Sequence, residues 1–209
     1  EHLEFADDGS AFACWRQQRP HGFAGPTETA AAAAMVNRFD PVSGWGQEQI
    51  LEADNNIGST EELSCDVSGE GRLVAAWERR NSFSEQDSLA AAQDYDVWVS
   101  VYEPARGWLE LETVEFIQHG IREQGGLGVQ NRKPLVAVTG DTAAVLWYNS
   151  SDTQVVSITY DLAAGAWQGV DILESRSRRI PGADSHQLAS NSTGALMATF
   201  AFLGPDHDA

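Results

Sequence analysis

Six arginines are the side chains best suited to chemistry in this sequence: Arg79, Arg80, Arg122, Arg176, Arg178 and Arg179. A guanidinium is a planar fork of donors that holds carboxylate, sulfate or phosphate through two parallel hydrogen bonds. The six stand out because the chain is acidic, with a formal net charge of −18. Lys133 is the sole lysine. The plainer reading is that these arginines pair with the chain's own 31 Asp and Glu residues, since surface charges mostly do no more than solvate a face.

Other constellations are weaker. The five histidines (His2, His21, His119, His186 and His207) show no HxH or HExxH spacing, so no metal site is read from them. Asp7, Asp8 and Asp40 leave room for Ca2+ with backbone carbonyls, but turn formation explains them as well, and no EF-hand loop occurs. No other cofactor is implied. GGLG at 125–128 lacks the GK[ST] ending of a phosphate loop and reads as a plain loop. There is no GxSxG elbow. Glu85 and Asp87 could act as a glycosidase pair, yet with 31 acidic residues a neighbouring pair carries almost no information. NSS at Asn149 and NST at Asn191 match the glycosylation acceptor pattern, which chance alone also produces in Ser-rich sequence.

The elements that must position these residues are written in repeats. GSAFACW, GRLVAAW, DTAAVLW and GALMATF each place an aromatic six residues after a turn residue. Those aromatics, Trp15, Trp77, Trp147 and Phe200, stand 62, 70 and 53 residues apart. Between successive copies lies a second phrase: FDPVSGW, YEPARGW and YDLAAGAW. Each of its tryptophans is followed seven residues later by glutamate: Glu52, Glu115 and Glu174. VWVSVY at 97–102 alternates, with Val97, Val99 and Val101 on one face and Trp98, Ser100 and Tyr102 on the other. No stretch carries a convincing helical period. Each unit therefore reads as four short strands, a to d. The first phrase covers the a–b turn and strand b, and the second phrase is the c–d turn. Pro41 and Pro104 preset the backbone of that turn, and Gly44, Gly107 and Gly165 supply its permissive conformation. In the third copy the proline is replaced by Leu162 and Ala166 is added, which predicts a different turn or a bulge there.

Tandem four-stranded antiparallel units resemble the repeats of secreted bacterial β-propeller proteins, in the broad company of sialidase-like and Kelch-like repeats. The resemblance implies an all-β fold of four-stranded blades, about 3.5 of them in this chain. The expected units are residues 1–54, 63–115, 134–174 and an incomplete 186–202. There is no WD dipeptide, no Kelch Gly-Gly doublet, and only a partial Asp-box echo in DDGSAF at 7–12. A ring of this count leaves an unpaired edge, so we expect further blades from more chain or from a partner chain. The chain starts at Glu1, without Met or a signal peptide, which suggests a processed form or a piece of a longer protein.

In such a unit the short a–b and c–d turns lie on one face. The long b–c and d–a loops, which carry the six arginines, lie on the other, and function is expected there. The recurring Trp15, Trp77 and Trp147 read as packing between blades. Trp98 has no aromatic counterpart in the other units and joins the arginines as a ligand-binding candidate. The expected function is a non-catalytic, extracellular binding or scaffolding module for a protein or a glycan. The alternatives are a carbohydrate-active enzyme (a sialidase-like hydrolase or a polysaccharide lyase) and a structural subunit completed by blades of another chain. The acidic charge argues against nucleic acid and anionic membranes as partners. No apolar run reaches the roughly 18 residues of a membrane span, so membrane insertion is not expected. A secreted, periplasmic or cell-surface location is. Whether Cys14 and Cys65 bond to each other is left open.

Overall fold

The computed structural model describes residues 1–18, 32–51, 58–81, 95–109, 112–113, 131–149, 154–175, 186–191 and 194–200. Among them there is no helix. Sixteen strands form four antiparallel sheets that follow one another in chain order. The first sheet runs β1 (His2–Phe5), β2 (Ala11–Gln18), β3 (Ala32–Asp40), and then two short pieces against β3, namely β4 (Gly44–Trp45) and β5 (Gln49–Ile50). The second repeats this with β6 (Gly58–Val67), β7 (Leu73–Asn81), β8 (Tyr95–Glu103), β9 (Gly107–Trp108) and β10 (Glu112–Thr113). In the third, the fourth position is one continuous strand: β11 (Asn131–Thr139), β12 (Thr142–Asn149), β13 (Gln154–Asp161) and β14 (Ala166–Ser175). Among the described residues the last holds β15 (His186–Ser190) and β16 (Leu196–Phe200).

The turns follow from their residues. Gly9, Gly71 and Gly194 sit at φ +80, +79 and +93, a region that residues with a Cβ rarely enter. Each donates its N–H back across the turn, to Ala6, Ser68 and Asn191 respectively. The third a–b turn differs from the expectation. Thr139 pairs directly with Thr142, so the turn is the two residues Gly140 and Asp141, and Gly140 takes the positive φ of 50. DTAAVLW thus begins one residue past the turn glycine. In the c–d turns, Asp40 Oδ1 accepts from the N–H groups of Val42 (2.9 Å) and Ser43 (3.0 Å). Asp161 Oδ1 does the same for Ala163 (2.9 Å) and Ala164 (2.8 Å). The added Ala166 appears as a register change: Asp161 pairs with Ala166, whereas Asp40 pairs with Gly44 and Glu103 with Gly107.

Alternation gives every inner sheet two buried faces. On β7, Leu73, Ala75 and Trp77 pack against Phe12, Cys14, Ala34 and Val36 of the first sheet. Val74 and Ala76, with Val97, Val99 and Val101 of β8, pack against Val136, Val145, Trp147 and Ile158 of the third. Leu146, Tyr148 and Val155 meet Leu188, Ala198 and Phe200 of the last. Successive first strands lie in contact: β1 with β6, β6 with β11, and β11 with β15. Polar groups tie these strands across the gap. Val136 N–H donates to Ser64 Oγ (3.0 Å), Val138 N–H to Asp66 Oδ2 (2.6 Å), and the Thr139 hydroxyl to the Asn191 carbonyl (2.5 Å). A disulfide joins Cys14 of β2 to Cys65 of β6, fastening the first sheet to the second.

Candidate functional site

Parity decides what the arginines at the loop end can do. Glu78 and Arg79 are neighbours on β7, so they face opposite ways. Arg79 lies on the face of Trp77, directly across from Asp96 of β8, and is 3% exposed. Its guanidinium carbon sits 5.1 Å from the ring centroid of Trp98. The structure therefore brings two expected ligand-binding residues together, but as a stacked pair inside the packing. Trp98 is half-buried, and its Nε1 has no hydrogen-bond partner among the described residues. Arg80 follows on β7, in register with Tyr95. Its side chain, together with Arg122, Arg176, Arg178 and Arg179, lies outside the described residues, as do Glu85 and Asp87.

Glu78 points the other way, toward the third sheet, and is 1% exposed. Its two carboxylate oxygens accept from Arg132 Nε (3.2 Å) and the Lys133 N–H (2.9 Å). Lys133 sits in a bulge at φ 54, which lifts its N–H out of the strand ladder. Its carbonyl accepts from His186 Nε2 of β15 at 2.6 Å. Arg132 also lies over the ring of Tyr95, 4.1 Å from the centroid. Burial pushes the Glu78 carboxyl above the ordinary range, and the Lys133 N–H and Arg132 offset part of that. This chain of contacts clamps the second, third and last sheets together. Arg132 and Tyr95 belong to it although neither motif nor spacing marks them. The signal that could have found them is the isolated buried-strand glutamate, which demands a cationic partner.

At the opposite, turn end a cleft of about 480 Å³ separates the second and third sheets. Val99, Val101 and Leu109 form one side of it, and Tyr160 and Trp167 the other. Arg106 and Trp108, both from the YEPARGW turn, stand at its edge. Trp167 and Tyr160 are a perpendicular ring pair with centroids 4.8 Å apart. The position a Cβ would take at Gly165, which lines the cleft, is 3.7 Å from the Tyr160 hydroxyl and 3.8 Å from Glu103 Oε1. Arg106 holds Glu103 Oε2 at 3.2 Å. The turn phrases were expected to be scaffold alone; here they also wall a cavity.

The third notable surface is the outer face of the first sheet. Leu3, Phe5, Trp45 and Ile50 are 52%, 68%, 51% and 43% exposed. Register places Leu3 and Phe5 beside Ala13 and Ala11, and puts Trp15 opposite Met35 on the same face. The three aspartates considered for Ca2+ lie at turns. Hydrogen bonding from Ser10, by its side chain and then its N–H, holds the Asp8 carboxyl below the usual range, and the N–H groups of Ser43 and Val42 do the same for Asp40. Among the described residues no three His, Cys, Asp or Glu side chains converge to hold a metal. No family model matches the chain, and no curated protein matches it.

Proposed function

We propose that this chain is a non-catalytic binding or scaffolding module of the β-propeller kind. Through the outer face of its first sheet it binds a further sheet from another polypeptide, for which a second copy can stand in. One observation carries the reading. Trp77 and Trp147 hold the same register position in the second and third sheets; each faces the preceding sheet and is 0% exposed. Trp15, half-buried, holds that position in the first sheet, where the centre of the face is buried (Met35 5%, Ala11 and Ala33 1%) but its flanking strands show Phe5 at 68%, Leu3 at 52% and Trp45 at 51% exposure. An apolar sheet face this open is a docking surface, and the three gaps between successive sheets define what fits: another face of small and β-branched side chains. Sheets packed in chain order with their first strands in contact are also what neighbouring propeller blades do.

The Cys14–Cys65 disulfide supports an oxidising compartment, and hence a secreted, periplasmic or cell-surface location. The enzyme reading would need arginines and a carboxylate converging on an open pocket, and Arg79 is packed inward on Trp98. Sedimentation equilibrium of the purified chain tests the proposal. Association should grow with protein concentration, and should strengthen from 0.1 to 0.5 M salt as the −18 charge is screened. Phe5→Lys combined with Trp15→Lys should abolish it. A chain that stays monomeric under all these conditions refutes the proposal.

A further inference from the structure

The turn-end cleft lies where the first and second sheets carry different side chains at two equivalent places. Phe12 pairs with Arg38 in the first sheet, and Val74 pairs with Val101 in the second. Phe12 lies three residues before Trp15 and Val74 three before Trp77, so Arg38 and Val101 hold the same place in their sheets. Arg38 reaches across to the second sheet and lies over the ring of Tyr102, 6.0 Å from its centroid. Tyr160 is the counterpart of Tyr102 in the third sheet; it is buried, at 3% exposure, but among the described residues no arginine lies over its ring. Where Arg38 and Phe12 stand over Tyr102 in the first gap, Val101 and Val74 hold the equivalent places in the second, which contains a cleft of about 480 Å³.

We propose that this cleft binds a neutral saccharide, with a sugar ring against the Trp167 indole and its hydroxyls on the Arg106–Glu103 pair. The volume falls within the range of small-ligand sites, roughly 300–1,000 Å³. A pyranose has an apolar C–H face and a polar rim, and the cleft offers both kinds of partner. Trp167, half-buried, supplies the aromatic surface, backed by the buried Tyr160 ring, and Leu109 with the buried Val99 and Val101 supplies the apolar wall. Arg106 contributes donors at the edge, and its partner Glu103, just behind the lining, places an acceptor, Oε1, beside the lining residue Gly165. A donor and an acceptor side by side match adjacent hydroxyls, each of which donates and accepts. Charge argues for a neutral ligand: the Arg106 cation is already matched by Glu103 at 3.2 Å, and the −18 chain repels anions. This site does not depend on how the array of sheets is completed.

The test is isothermal titration calorimetry with cellobiose, maltose, lactose and N,N′-diacetylchitobiose, backed by an array of neutral glycans. At least one should bind saturably. Arg106 is exposed, so Arg106→Ala should leave the thermal midpoint unchanged while weakening binding about tenfold, the effect of one lost charge-assisted hydrogen bond. Val101→Arg borrows the side chain that the first sheet tolerates at this place and should abolish binding. Trp167→Ala should do the same. No binding by any neutral glycan overturns the proposal. So does binding that survives both Arg106→Ala and Val101→Arg, or binding restricted to acidic saccharides.

Discussion

Glu78 shows how one buried side chain organises its surroundings. It lies within a strand, 1% exposed, and its two acceptors serve the Arg132 guanidinium and a backbone N–H displaced by the bulge at Lys133. Glu78→Ala would strand that N–H and is expected to cost about 2 kcal/mol, the desolvation penalty of a buried donor left unmade. Urea unfolding at pH 7 measures it, and a loss near zero would show that water reaches Lys133. The pH dependence has a definite sign. The folded-state carboxyls of Glu78 and Asp66 are both raised, chiefly by burial. Between the unfolded and folded pKa values the native state binds more protons than the unfolded one. The contribution of these groups is therefore fully present below the unfolded values and is lost as pH rises through the folded ones. Glu78→Gln should flatten that fall in a series of unfolding midpoints across this window. An unchanged slope would mean that Glu78 is not the group titrating. What the sequence conveyed about this end of the molecule was residue type. It marked Arg79 as a cation on a loop face, but strand β7 extends to Asn81, and strand parity turned Arg79 onto Trp98.

At the level of the strand and its sheet, the same residue in the same register has different worth according to what covers it. Trp147 is 0% exposed between the second and third sheets, and its removal should cost about 3–5 kcal/mol, as for other buried tryptophans. Trp15 lies on the open face of the first sheet, with its indole N–H donated to Gln17 Oε1 at 2.9 Å. Trp15→Ala should cost about 1 kcal/mol or less in dilute solution. Equal losses in the two variants would show that the outer face is covered even in the monomer. The repeats made this comparison readable from sequence, because the six-residue spacing from turn to aromatic follows directly from strand length. The all-β class, the sheet order and the alternation of β8 were likewise legible. The broken fourth strands were not: β4 and β5 are separate pieces, as are β9 and β10, whereas β14 is continuous, although each tryptophan stands seven residues before a glutamate. The cleft was hidden for a related reason. It lies where Val101 and Val74 hold the places of Arg38 and Phe12, differences that matter only once two sheets face each other.

For the molecule as a whole, the question is how firmly the first sheet is held. Among the described residues, the second and third sheets have another sheet packed on both faces, and the first on one. It is joined to the rest by one apolar layer with Arg38 over Tyr102, by polar contacts (the His2 ring nitrogen at 3.0 Å from the Leu63 carbonyl, Asp7 N–H donating to the Gly69 carbonyl, Arg16 donating to the Glu61 carbonyl and Ala32 N–H donating to Ser59 Oγ), and by the Cys14–Cys65 bond. That bond closes a loop of 51 residues, and on the chain-entropy account it is worth about 4 kcal/mol. Both cysteines are buried, at 1% and 3% exposure, so reduction should require prior opening of the gap between the first and second sheets. Sheets that touch only their neighbours unfold with limited cooperativity once a link between them is weakened. Reduction should therefore do more than lower the midpoint. Hydrogen exchange should show β1, β2 and β3 opening at lower denaturant than β11, β12 and β13 in the reduced protein, and together with them in the oxidised one. A reduced protein that unfolds in one step at the oxidised midpoint would mean that the apolar layer alone holds the first sheet and the disulfide adds nothing.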